Sequence, residues 1–168
     1  MAVIAFDRLP ESARFWVFPI IRPLNEDESK LFLQKVDRFM QEWVSHQMEV
    51  TVTREWKYNQ FLLVGADESE VGVSGCSNDS LFRTVKTIQQ ELKLDFPDTS
   101  LIYYKDGEKI QTVTRDQFRD FIKMGMVNEN TIVFNMTLQK MGDYLKGLWE
   151  TPMKNSWHIE AFPIPVQK

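Results

Sequence analysis

The segment Gln60-Phe61-Leu62-Leu63-Val64-Gly65-Ala66 constrains this chain more than any other. It is too short for a buried helix and almost without polar side chains, so it reads as a central strand of a sheet. Just before it, Glu49 to Trp56 is rich in Thr, Val and Trp and reads as a second strand. The tight Lys57-Tyr58-Asn59 turn joins the two into a hairpin, which the rest of the fold must cover.

The covering elements flank the hairpin on both sides. Ahead of it, Phe32, Val36, Phe39, Met40 and Trp43 recur at helical spacing. Asn25 is suited to cap that helix, and Glu26, Asp27 and Glu28 fall in its positive first turn. After the hairpin, Leu81, Val85, Ile88 and Leu92 form the stripe of a second helix. Arg14 to Ile21, an aromatic and β-branched run stopped by Pro23, predicts a strand before the first helix, and Leu101 to Tyr104 predicts one after the second. The order β-α-β-β-α-β predicts an α+β protein with a ferredoxin-like split βαβ core, an antiparallel sheet with both helices on one face.

A C-terminal extension follows. Asp106-Gly107, between Leu101–Tyr104 and Lys109–Val113, signals a type I′ hairpin. Thr114 and Gln117 have capping-box spacing ahead of a short helix carrying Phe118, Phe121 and Ile122, which Gly125 ends. A strand over Thr131–Met136 precedes a helix marked by Leu138, Met141, Tyr144, Leu145 and Leu148 and closed by Pro152. Pro163 and Pro165 predict an extended tail from Phe162. These pieces are expected to extend the sheet or cover its open face. A length of 168 residues suits one compact domain over 1–168, with an ordered core over about 14–158 and no room for a second full domain.

Composition closes off several function classes. The formal charge is −4 and the Lys and Arg residues are scattered, so no basic field draws nucleic acid. No window approaches the run of about 18 apolar residues that a membrane helix needs. The start of the chain lacks the pattern of a secretory signal, and the lone Cys76 has no internal disulfide partner, which together favour the cytoplasm. The G-x-x-x-x-G-K-[ST], G-x-S-x-G, H-E-x-x-H, C-x-x-C and G-x-G-x-x-G signatures are all absent.

Candidate chemistry gathers between the central strand and the second helix, over residues 64–80. Gly72 and Gly75 permit positive φ, and Ser77, Asn78 or Asp79 is placed to cap the helix. Cys76 then lies near a helix N-terminus, where the dipole favours a thiolate, and reads as a nucleophile or redox sensor with His46 or His158 as base. Ser74 and Ser77 support that loop, and Asp67 or Glu68 orients the base. The competing reading of Cys76 is a small buried residue at a tight turn. The same loop, through Asp67, Glu68, Ser74, Gly75, Ser77 and Asp79, is a candidate ligand-binding site. Its carboxylates oppose an anion and would suit a divalent cation only if they converge. Cys76, His46 and His158 are three potential zinc ligands without metal-site spacing, so no metal or other cofactor is expected. His46 otherwise reads as a helix C-terminal residue favoured by the dipole, and His158 as an exposed one.

Asp67-Glu68, Ser74-Gly75-Cys76-Ser77, the run Val127 to Asn135, Trp149-Glu150-Thr151-Pro152 and Ser156-Trp157-His158 together resemble an uncharacterised bacterial family of single-domain proteins, often catalogued as an "ABC transporter ATPase". The resemblance spans Trp16 to His158. It implies a bacterial protein and no particular reaction, and without a nucleotide-binding loop no ATPase activity is expected. Two functional readings stand. The favoured one is a non-enzymatic interaction or small-ligand module, meeting an unknown protein, a small molecule or a second copy of itself as a homodimer through an open sheet face or edge. The other is a cysteine-centred enzyme or thiol sensor.

Overall fold

The computed structural model describes residues 5–46, 51–67 and 75–166, with backbone alone for 44–46 and 75–78. The chain is α+β, with two antiparallel sheets. It divides into two compact units, Met1–Pro97 with Gln139–Leu145, and Asp98–Leu138 with Lys146–Lys168. This division is finer than the single domain expected from length.

The first unit contains β1 (Arg14–Pro19), α1 (Glu26–His46), β2 (Thr51–Lys57), β3 (Phe61–Asp67), α2 (Gly75–Glu91) and the short α4 (Met141–Leu145). The strand order is β1-β3-β2, with β3 antiparallel to both neighbours. The apolar run is therefore central, as its composition requires, and Phe61 to Ala66 are all buried. Asn25 and Glu28 form a reciprocal cap. The Glu28 N–H donates to Asn25 Oδ1 at 2.8 Å, and the Asn25 N–H donates to Glu28 Oε2 at 3.0 Å. Tyr58 and Asn59 both adopt positive φ in the turn between β2 and β3, the conformation that lets a short turn follow the twist of its strands.

Both helices pack on one face of this sheet. Phe32, Val36, Met40 and Trp43 from α1 and Leu81, Val85 and Ile88 from α2 share a core with Phe18, Ile20, Leu62, Val64 and Ala66. The other face is closed as well. Tyr144 of α4 stacks on Phe15 at 5.1 Å, and Phe6 meets the Tyr144 edge at 5.4 Å. Leu9 approaches β3 so closely that a Cβ on Gly65 would lie 2.3 Å from Leu9 Cδ1. The open sheet face anticipated as a partner surface is thus covered by the chain's own 6–9 turn and α4. The ordered structure begins ahead of residue 14, because Phe6, Leu9 and Ala13 are needed to bury that face.

The expected six-element core does not form as one sheet. The Leu101–Tyr104 strand, β4 (Ile102–Asp106), belongs to the second unit, in a sheet of order β5-β4-β6-β7 with β5 (Lys109–Val113), β6 (Ile132–Phe134) and β7 (Glu150–Pro152). On the outer edge of β1 stands residue 139–141 backbone instead. The Phe15 N–H donates to Gln139 O at 3.0 Å, and the Met141 N–H donates to Ala13 O at 2.8 Å. The β4–β5 hairpin forms where predicted and turns at Gly107, φ 63°, but Asp106 ends β4 opposite Lys109 and Glu108 does not take positive φ, so the turn is not the type I′ expected, which needs two positive φ values in succession. The second unit also holds α3 (Arg115–Lys123) and α5 (His158–Ala161). The Thr114 and Gln117 capping box of α3 is formed, and Gly125 follows the helix at φ 75°.

Three boundaries depart from the sequence reading. The helix expected over Leu138–Leu148 is only five residues long, because Gly147 takes φ 77° and redirects the chain into β7. β6 stops at Phe134, where the Asn135 side chain turns back to accept from Thr137 N–H at 2.9 Å and Thr137 Oγ1 at 2.6 Å. Phe162, assigned to an extended tail, is buried among Ile102, Tyr104 and Phe118 in the second core.

Candidate functional site

The 64–80 region is only partly described. Glu68 and Ser74 lie outside the described residues, as do the side chains of His46, Cys76 and Ser77. The backbone shows α2 beginning at Gly75, so Gly75, Cys76 and Ser77 belong to its first turn, and Ser77, Asn78 and Asp79 stand inside the helix rather than capping it. Asp67 is the last residue of β3, opposite Thr51, and is half-buried. Asp79 is exposed. Among the described residues no group of three or more His, Cys, Asp or Glu is placed to hold a metal ion.

His158 is not the exposed residue expected. Only 1% of its surface is accessible, in the core of the second unit. Its ring stacks on Trp157 at 4.0 Å and meets Phe118 edge-on at 6.3 Å. Nδ1 is 2.8 Å from Ser156 Oγ. A serine beside an imidazole is the opening of a nucleophile–base pair, but both residues are enclosed, so the contact satisfies two buried polar groups rather than facing a substrate. Burial pushes the imidazole down to about 4, assisted by the positive charge of Arg115. The ring is therefore neutral near pH 7.

A different constellation appears on the first unit, where α1 and α2 leave a groove of about 340 Å³ on their outer side. Lys35 Nζ and Glu91 Oε2 pair across one end at 2.7 Å, which sets the middle of α1 against the end of α2. Further along, Phe39 and Ile88 give the groove apolar surface, and Arg38, Arg83 and Glu42 line it beside Thr84 and Thr87. Phe39 is fixed from behind by stacking on Trp43 at 6.0 Å. Arg38 and Arg83 are exposed, and among the described residues neither has an ion-pair partner.

Sequence reasoning missed this groove because its two walls are about fifty residues apart. The core stripe of each helix is legible in the sequence, and the groove lies beside that stripe, at positions that read as ordinary solvated charges. Phe39, included in the predicted core, was the available signal, since it is the α1 aromatic that remains half-buried at the rim.

The architecture defines an α+β protein of two antiparallel sheets, with helices over one face of the first. No helix among the described residues is long and apolar enough to cross a membrane. The chain matches no protein-family model, no curated protein and no solved structure.

Proposed function

We propose that this chain is a non-enzymatic ligand-binding or interaction module whose binding surface is the groove between α1 and α2. The observation that carries the reading is the presence in one concavity of Arg38 and Arg83, which have no ion-pair partner among the described residues, beside the apolar surface of Phe39 and Ile88. Recognition sites combine apolar area with a few placed polar groups in this way. Among the described residues, the groove is lined by neither a cysteine nor a histidine. With both faces of the first sheet covered, the groove replaces the sheet face as the partner surface.

The proposal keeps a cytoplasmic protein of the bacterial family that the Ser-Gly-Cys-Ser and Ser-Trp-His motifs resemble. It also keeps a split βαβ arrangement in the first unit, supported by the β1-β3-β2 order with both helices on one face and lacking its fourth strand.

The test uses 1-anilinonaphthalene-8-sulfonate, an aromatic body with one negative charge, and a Thr84→Trp variant that fills the groove. Saturable fluorescence enhancement with the wild-type chain, weakened tenfold or more by Thr84→Trp, is expected. Absent saturation, or equal binding to both proteins, refutes the reading.

A further inference from the structure

We propose that the outer edge of β1, with the Phe6 and Phe15 rings beside it, is a docking site for a second copy of this chain, which enters by exchanging its 139–145 arm. The inference is independent of the α1/α2 groove, and its failure leaves that reading untouched.

The segment that fills the site within one chain defines the occupant. Lys140 pairs with Arg14 in an antiparallel bridge. The Phe15 N–H donates to Gln139 O at 3.0 Å, the Met141 N–H to Ala13 O at 2.8 Å and the Gly142 N–H to Glu11 O at 2.9 Å. A segment added to a sheet edge in this way draws affinity from main-chain bonds and selectivity from side chains. Here Met141 is fully buried and Tyr144 stacks on Phe15 at 5.1 Å. A Cβ on Gly142 would lie 3.2 Å from both Glu11 Cβ and Glu11 O. The arm is thus recognised by its glycine and by the aromatic residue two positions later.

Connectivity makes the arm exchangeable. Phe134 and Glu150 stand opposite each other in β6 and β7, and a hairpin loop of about two to five residues would join such a pair. The chain instead runs through residues 135–149 and lends the middle of that stretch to the first unit. Residues 98–168 hold the whole second unit and the arm without interruption, and the single Pro97–Asp98 peptide bond joins them to the rest of the first unit. Asp98, Thr99 and Ser100 form an exposed turn at that junction, where the Ser100 N–H donates to Asp98 Oδ1 at 2.8 Å and the Leu101 N–H to Asp98 O at 3.1 Å. Opening the turn carries the arm to another copy's β1 with every arm contact remade. Two copies that exchange arms fill both sites, so the assembly closes as a two-fold dimer. Docking within one chain is favoured by the tether, worth an effective concentration on the order of millimolar.

The experiment is size-exclusion chromatography with light scattering on the full chain refolded from urea, and on a chain lacking Thr99 and Ser100, whose shortened junction hinders return of the arm to its own β1. Wild type should be monomeric when refolded dilute and partly dimeric when refolded at roughly millimolar concentration. The shortened chain should dimerise roughly tenfold more tightly or better, and Gly142→Leu with Tyr144→Ala should return it to monomer. A second measurement needs no shortened chain. An acetylated peptide of residues 137–146 is titrated into the ¹⁵N-labelled full chain carrying Gly142→Leu and Tyr144→Ala. Saturable shifts of amides over 11–15 are expected, with binding to the intact chain weaker by roughly tenfold or more because its own arm competes.

A shortened chain that folds and stays monomeric, or a dimer that survives the arm substitutions, overturns the exchange. So does a folded arm-substituted chain that ignores the peptide or binds it no better than the intact chain does. If either variant fails to fold, wild type refolded at high concentration with excess peptide decides. Dimer suppressed by the peptide sustains the exchange, and dimer indifferent to it, or no dimer without it, overturns it.

Discussion

Lowering the pH should destabilise the second unit through His158 well before its carboxylates are protonated. In the folded chain the imidazole is enclosed by Trp157 and Phe118 and faces the charge of Arg115, so it stays neutral down to about pH 4. In the unfolded chain it takes up a proton near the ordinary 6.5. Between those values the unfolded state binds more protons, so stability is full above about pH 6.5 and falls as the pH drops toward 4. A separation of that size amounts to roughly 3 kcal/mol over the whole window, of which about 2 kcal/mol is lost between pH 7 and pH 5. The assay is urea unfolding at pH 7, 6 and 5, followed by tryptophan fluorescence, in the wild-type chain and in His158→Gln. The variant will differ in absolute stability because Ser156 loses its partner, so the informative quantity is the slope with pH. Wild type should lose about 2 kcal/mol more than the variant across this range. Equal slopes would refute the reasoning, since they would mean that His158 takes up its proton in the folded chain as readily as in the unfolded one.

Two further outcomes follow from packing and capping. Gly65→Ala places a methyl group 2.3 Å from Leu9 Cδ1, and should cost roughly 1–3 kcal/mol by overpacking. Adding Leu9→Ala should make the Gly65→Ala change nearly neutral in a double-mutant cycle, and an unchanged cost would show that Leu9 is not the obstacle. Thr114→Ala removes the hydroxyl that accepts from Gln117 N–H at 3.2 Å and should lower urea stability of the second unit by about 1 kcal/mol; no change would mean that the capping contact contributes nothing.

Local signals proved legible wherever the neighbouring residues decide the outcome. The Asp106-Gly107 hairpin, the Thr114 and Gln117 box and the Leu81, Val85, Ile88 and Leu92 stripe all act within a few residues. The box forms as read, the hairpin forms with one positive φ where type I′ needs two, and the stripe packs on the core with Leu92 just past the end of α2. The assignment of β4 to a sheet is not local. Ile102 and Tyr104 present apolar side chains that suit either sheet, and their place is set by pairing with β5 and, at Tyr104 and Val133, with β6. β7 escaped notice because it is three residues long, ends in proline and follows a helical pattern that Gly147 interrupts. Gly65 sits in a clean strand pattern, and only the approach of Leu9 explains why a side chain is missing there. At the candidate site, Arg38 and Arg83 each look like solvated helix charges. Their meaning comes from facing the same groove, which depends on how two separated helices pack on one sheet.

The pairing of β1 with residues 139–141 also bears on how the chain is made. Everything else in the first unit is encoded before Asp98, yet Tyr144 and the backbone that meets Phe15 and Ala13 arrive only after most of the second unit has been translated. Closing a loop of roughly 120 residues costs only slowly growing entropy, but the ribosome adds about 5–20 residues per second. For several seconds the emerging first unit therefore carries Phe15 without its stacking partner and an incompletely paired strand edge, a period when nascent chains on one messenger are vulnerable to joining one another.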